Sequence, residues 1–212
     1  MKITGLLAAA SLVLAIPAAA NASILFDFDS VATGTYGTVT QTVSGLTASI
    51  TSASGSIKVE PAGPIPGISG QVLINYFTGS GKFTADFSSA VNDVSITGGD
   101  YGADTDHIFL AAYSGLGGTG TFLGSITSAG CCAGSSPGSA TVSLIASGIK
   151  SVQFYTGAGD PFPGSVYFDN LKVGALAGGG VPEPASWAMM LLGFGGIGAL
   201  IRNRRRAVSL AA

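Results

Sequence analysis

The chain has 212 residues with a formal net charge of −2, only 9% charged side chains, 33 glycines and 9 prolines. That length suits one ordinary domain with appendages. Between Ser23 and Gly180 ten acids face four lysines, a net charge of −6, and every arginine lies beyond. Clustered cations for phosphate neutralisation are therefore missing there, and no nucleic acid partner is expected.

The first element is residues 1–22, MKITGLLAAASLVLAIPAAANA, in which Lys2 precedes a short apolar run that closes on Ala20-Asn21-Ala22. This order of charged region, apolar region and small-residue end is that of a secretory signal peptide. Signal peptidase would then cut between Ala22 and Ser23. Pro17 and the small residues after it argue against a core or membrane helix.

From Ser23 to Val173 the chain is a succession of short runs rich in Val, Ile, Thr, Phe and Tyr, divided by Gly, Ser, Pro and Asp. SILFDFDS, LTASITSAS, SIKVE, QVLINYFT, KFTADFSS, VNDVSITG, HIFLAAYSG, TFLGSITS, ATVSLIAS, KSVQFYTG and SVYFDNLKV are the predicted strands. Helical spacing of apolar residues is confined to the two terminal segments. The fold class expected is all-β: a single β-sandwich, jelly-roll-like, over residues 23–173. A β-solenoid is the rival, disfavoured because no fixed-period repeat is present.

Alternation assigns faces. In SILFDFDS, Ile24, Phe26 and Phe28 share one face, and Leu25, Asp27 and Asp29 the other. In KSVQFYTG, Val152 and Phe154 point inward and Gln153 and Tyr155 outward. In SVYFDNLKV, Asp169 falls on the face of Tyr167, Leu171 and Val173, where a carboxylate needs a partner.

Two carboxylate groups follow from these positions. The first joins Asp27 and Asp29, early in the domain, with Asp169 and Asn170 near its end. The first and last strands of a sandwich can lie side by side, and hard oxygen ligands so gathered suit Ca2+. Solvated or locally bonded carboxylates are the alternative. FDFDS and YFDNLKV also resemble the opening and closing strands of calcium-binding, carbohydrate-binding-like jelly rolls. The second group, in GGDYGADTDH, holds Asp100, Asp104 and Asp106 beside His107. Its spacing is not that of an EF-hand loop, and a polar turn is the competing reading. Tyr101, Tyr113 and Tyr155 would stack on a sugar ring if they shared a surface.

Cys131 and Cys132, the two cysteines, are adjacent in a small-residue loop. Neighbouring Cα atoms lie about 3.8 Å apart, closer than ordinary disulfide geometry. Two loop thiols, a strained vicinal disulfide and an intermolecular pairing all remain open. With His107 the lone histidine, a zinc site of the usual kind is not expected. No catalytic residues are assigned and an enzyme is not expected. The alternative is a secreted carbohydrate-active hydrolase with paired Asp carboxylates.

Residues 174–180 form a Gly/Ala-rich linker, and 181–206 read VPEPASWAMMLLGFGGIGALIRNRRR, followed by a short extension, 207–212. The uncharged run from Trp187 to Ile201 would span about 22 Å as a helix. Trp187 suits a membrane interface, and Arg202, Arg204, Arg205 and Arg206 would hold their end in the cytoplasm. A transmembrane helix is the expectation. Pro182-Glu183-Pro184, then Trp187-Ala188-Met189-Met190, the Gly-rich apolar run and the arginines resemble the PEP-CTERM sorting signal, departing from it in the residues after Arg206.

The resemblance implies a protein exported by Gram-negative bacteria. It would be held in the inner membrane until an exosortase recognises and removes the tail. It also implies association with exopolysaccharide and biofilm. The expected role is therefore a cell-surface or matrix component, non-enzymatic, in contact with exopolysaccharide and stabilised by Ca2+.

Overall fold

The computed structural model describes residues 23–76, 81–102, 104–132, 137–157, 159–160, 162, 164–174 and 193–194. The signal peptide, the linker past Gly174, the sorting segment and the 207–212 extension lie outside the described residues, except that Gly193 and Phe194 are helical. Among the described residues no helix is long and apolar enough to cross a membrane.

Eleven strands form the domain: β1 Ile24–Phe26, β2 Gly34–Tyr36, β3 Thr38–Val43, β4 Leu46–Ser52, β5 Ile57–Pro61, β6 Gln71–Ile74, β7 Phe83–Asp100, β8 Ile108–Tyr113, β9 Phe122–Thr127, β10 Gly138–Thr156 and β11 Tyr167–Val173. Every pairing between them is antiparallel. The fold is an all-β sandwich whose two layers are joined through two long strands.

Those strands, β7 and β10, run beside each other from Asp100↔Gly138 to Phe83↔Phe154, with register shifts between Ile145 and Ser151. Before the shifts β7 pairs with β4, and beyond them with β11. The latter half of β10 pairs with β8, which pairs with β9. The first layer is thus β3-β4-β7-β10-β8-β9. The second is β2-β5-β6-β11-β7-β10, with β1 beside the end of β11. Bulges let a strand bend and change the face it presents. Here they carry both long strands from one layer to the other.

Alternation explains which side chains meet between the layers. Phe83 and Phe154 of the first layer stack with ring centroids 5.3 Å apart, and Phe168 of the second meets them edge-on at 5.5 and 5.1 Å. Ile24, Phe26 and Phe28 join this core, as their shared face predicts, while Leu25 is exposed. Val152 and Phe154 are buried, with Gln153 and Tyr155 on the opposite face.

Three sequence readings are amended. KFTADFSS and VNDVSITG are one strand, β7, and ATVSLIAS and KSVQFYTG are one strand, β10. Their alternation breaks at the crossover, which is why each reads as two. The edge strands β2 and β3 were not predicted, because their threonine-rich sequence buries only Val39 fully. In β11, Asp169 does not share the face of Leu171 and Val173. A register shift between Asp169 and Lys172, with Asn170 at φ 54°, inserts one residue, so Phe168, Leu171 and Val173 face the core.

The outer faces of the layers differ. On the second layer Ile65, Ile68 and Val72 form a small separate cluster with Ala62 and Tyr167, so the segment between β5 and β6 covers that face. On the first layer the β8–β9 connection reaches over one end of the face. Gly117 N–H donates to Asp86 Oδ1 at 2.6 Å and Gly118 N–H to Ser151 Oγ at 3.0 Å. Gln153 lies beneath that connection, where a Cβ on Gly118 would meet its Nε2 at 2.3 Å.

Candidate functional site

The β7–β8 connection begins at Asp100, the last residue of β7, and returns through Asp106 into β8. Asp106 forms an isolated antiparallel bridge with Cys131, its N–H donating to Cys131 O at 3.1 Å and its carbonyl accepting from Cys131 N–H at 2.7 Å. This bridge extends the β8–β9 hairpin past its last rung and turns the Asp106 side chain into the interior. Cys131 and Cys132 are joined as a vicinal disulfide, which answers the question the sequence left open about them.

Carboxylate oxygens of Asp100, Asp104 and Asp106 lie within 4.8 Å of one another. Asp100 accepts from Tyr101 N–H at 2.6 Å and from Ser165 Oγ at 3.1 Å. Asp106 is fully buried, and neither of its carboxylate oxygens has a hydrogen-bond partner; Asp104 Oδ2 is buried and unpartnered as well. Burying an unpaired carboxylate costs several kcal/mol. Burial first, then the charges of Asp104, Asp100 and Asp160, push the Asp106 carboxyl up to about 7, with His107 opposing.

His107 does not turn into this cluster. Its ring Nδ1 lies 2.9 Å from Asp160 Oδ1, and its backbone N–H donates to Asp160 Oδ2 at 2.8 Å. Gly102 sits against the carboxylates so closely that a Cβ there would meet Asp104 Oδ1 at 2.5 Å and Asp100 Oδ2 at 2.7 Å. The chemistry of this donor set, oxygen-rich and anionic, matches a hard divalent cation.

The carboxylates of Asp27, Asp29 and Asp169 lie in one region, but among the described residues they are not a group whose oxygens converge within 4.8 Å. β1 pairs with β11, with Phe26 opposite Leu171, and this brings Asp27 and Asp29 close enough to raise the Asp169 carboxyl. Burial is the larger cause, and Asp169 stands at about 6 although backbone N–H groups of Asn170 and Ser69 oppose the rise. Its oxygens are satisfied from within the protein: Asn170 N–H and Ser69 N–H donate at 2.6 and 3.3 Å, and Asn170 Nδ2 at 2.9 Å. Asp29 accepts from Gln71 N–H at 2.7 Å, and Asp27 from Gln41 Nε2 at 3.3 Å. No carboxylate oxygen here is both buried and unpartnered, in contrast to the Asp100–Asp104–Asp106 group.

The aromatic residues separate. Tyr101 packs edge-on against Tyr167 on the second layer, with centroids 5.4 Å apart. Tyr113 and Tyr155 share the outer face of the first layer. Tyr155 lies against Phe109 with centroids 4.6 Å apart, and Tyr113 against Phe122 at 5.8 Å. Gln153 lies between them along β10 and accepts from Tyr113 OH at 3.4 Å. Lys82 Nζ stands 4.8 Å over the Tyr155 ring. Outward alternation made Gln153 and Tyr155 legible. Phe109, Phe122 and Lys82 were not, because only cross-strand register places them beside the tyrosines.

Residues 180–206 match the PEP-CTERM protein-sorting motif. They contain Pro182, Glu183, Pro184, Trp187, Ala188, Met189, Met190 and the arginines, all outside the described residues. The chain thus carries the sorting signal of an exported protein. No curated protein matches it. Among solved structures it is similar to the K2 cleaved adhesin domain of Lys-gingipain, with 18% identity and a TM-score of 0.41 over 72% of this chain and 99% of that one. It is also similar to Caldicellulosiruptor saccharolyticus CBM27-1 in complex with mannohexaose, with 14% identity and a TM-score of 0.42 over 72% and 96%. A third is the family 11 carbohydrate-binding module from Clostridium thermocellum, with 18% identity and a TM-score of 0.37 over 75% and 99%.

Proposed function

We propose that this exported protein is a non-enzymatic polysaccharide-binding component of the cell surface or extracellular matrix, and that it holds glycan on the outer face of the first layer. The observation that carries this reading is the Tyr113–Gln153–Tyr155 arrangement, with Phe109, Phe122 and Lys82 around it. Aromatic rings offer flat apolar surface to the C–H faces of sugars, and amide and ammonium groups between them meet hydroxyls. The protein's delivery follows from the sorting segment: an exosortase cuts the tail after the Arg-flanked segment has held the chain at the inner membrane.

Affinity electrophoresis of the full chain against a panel of soluble polysaccharides, the producing cell's own exopolysaccharide among them, tests the reading. Retardation by at least one polymer is expected, with the double variant Gln153→Ala/Tyr155→Ala weakened about tenfold or more, since stacking and hydrogen-bonding losses of 1–2 kcal/mol combine. No retardation by any polymer, or retardation untouched by the double variant, overturns it. Intact mass of the surface protein checks the delivery: chains retaining Trp187 to Arg206 contradict removal of the tail. The hydrolase alternative needs paired Asp carboxylates within a substrate's reach, and fully buried Asp106 does not qualify as one of them. Release of reducing ends from any polymer in the panel would favour it.

A further inference from the structure

We infer that Asp100, Asp104 and Asp106 form a calcium site that ties three loops together at one end of the sandwich. The inference stands apart from the glycan face and does not depend on it. Clustered acids are common without an ion. What distinguishes this cluster is that Asp106 is fully buried with both carboxylate oxygens unpartnered, alongside the buried, unpartnered Asp104 Oδ2. Among the described residues no donor satisfies these oxygens, and an ion set among all three carboxylates would.

The donor set selects the ion. Three carboxylates within 4.8 Å of one another, with Ser165 Oγ hydrogen bonded to Asp100, supply hard oxygens. Ca2+ takes six to eight such ligands in flexible geometry, whereas Mg2+ keeps most of its water and uses one or two carboxylates. Asp106 and the two cysteine sulfurs also lie within 4.8 Å of one another, but those sulfurs are bonded to each other and offer no thiolate to a soft metal. The one nearby imidazole, His107, is held by Asp160.

The backbone holds the ligands in place. Asp106 is clamped in both directions by Cys131, Gly102 leaves the space its neighbours' carboxylates occupy, and Ser165 brings in the segment before β11. An ion there links the end of β7, the Asp106–Cys131 bridge and the approach to β11. Extracellular calcium modules bind with dissociation constants of about 10⁻⁴–10⁻³ M. A site in that range fills once the chain has left the cell, so the fold tightens where the protein works.

The test uses the full chain in mild detergent, stripped with EDTA. Isothermal titration with calcium chloride should show one equivalent bound, and 10 mM calcium should raise Tm by about 5 °C, with magnesium giving a smaller rise. Asp106→Asn should abolish both signals. Without metal the same variant should melt no lower than the parent, because it removes an unpaired buried charge. That comparison separates loss of a ligand from loss of folding. Asp29→Asn, in the other acidic cluster, should keep the full calcium response. Absence of a calcium response in the parent overturns the inference. So does a response that survives Asp106→Asn or is lost in Asp29→Asn.

Discussion

Replacing Phe168 with alanine tests how the two layers are held together. The ring is 2% exposed and sits on β11 in the second layer, between Phe83 and Phe154 of the first. Truncating a buried phenylalanine costs about 3–5 kcal/mol through lost burial and the cavity left behind. Two edge-on aromatic contacts, each worth about 0.5–1.5 kcal/mol, place this site toward the upper half of that range. At about 2–4 °C per kcal/mol for a domain of this size, Tm should fall by roughly 10–15 °C. Differential scanning calorimetry of the full chain reads the shift. Phe168→Leu, which keeps most of the volume, should lose less than half as much. Ile145→Ala, at a residue 84% exposed, should change stability by about 0.5 kcal/mol or less. If Phe168→Ala lowered Tm no more than Ile145→Ala, the two layers would not be packed through this ring, and the core described above would be wrong.

Asp169 should give the domain a measurable pH dependence. Its carboxyl is raised from 3.8 to about 6, chiefly by burial. The folded state therefore holds the proton more tightly than the unfolded chain. The stabilisation is complete below pH 3.8 and is lost as pH rises through about 6. The gap corresponds to about 3 kcal/mol at most. Asp169→Asn should flatten the stability profile across that window in urea titrations at several pH values, and an unchanged slope would refute the assignment. Gly70 has φ +67°, and a Cβ there would stand 1.7 Å from Asp29 Oδ1. Gly70→Ala should displace Asp29 from Gln71 N–H and cost about 1–3 kcal/mol. A variant melting like the parent would show that this turn relaxes freely.

Alternation was legible wherever a strand keeps one face to the core. It identified Ile24, Phe26 and Phe28 as core, and Val152 and Phe154 opposite Gln153 and Tyr155, before any coordinates. It failed where the backbone inserts a residue, at Asn170, and where β7 and β10 change layers, because a period of two cannot register a bulge. Both acidic groups were visible as composition, but only the oxygens of Asp100, Asp104 and Asp106 converge. Their difference was not visible, since it depends on which backbone N–H groups the fold turns toward each carboxylate. Gln71, Ser69 and Asn170 reach the acids near the chain ends, and no donor among the described residues reaches the Asp106 carboxylate.

The sequence by itself determined the destination of this protein and the class of its fold. A sorting motif is read by its side chains in linear order, and strand character is read from local periodicity. Only the tertiary structure decided that Tyr113, Gln153 and Tyr155 gather on one outer face while Ile65, Ile68 and Val72 cover the other. It alone decided, too, that Asp106 is buried without a partner. Both outcomes come from pairings between residues far apart in the chain, and no local pattern encodes the register of those pairings.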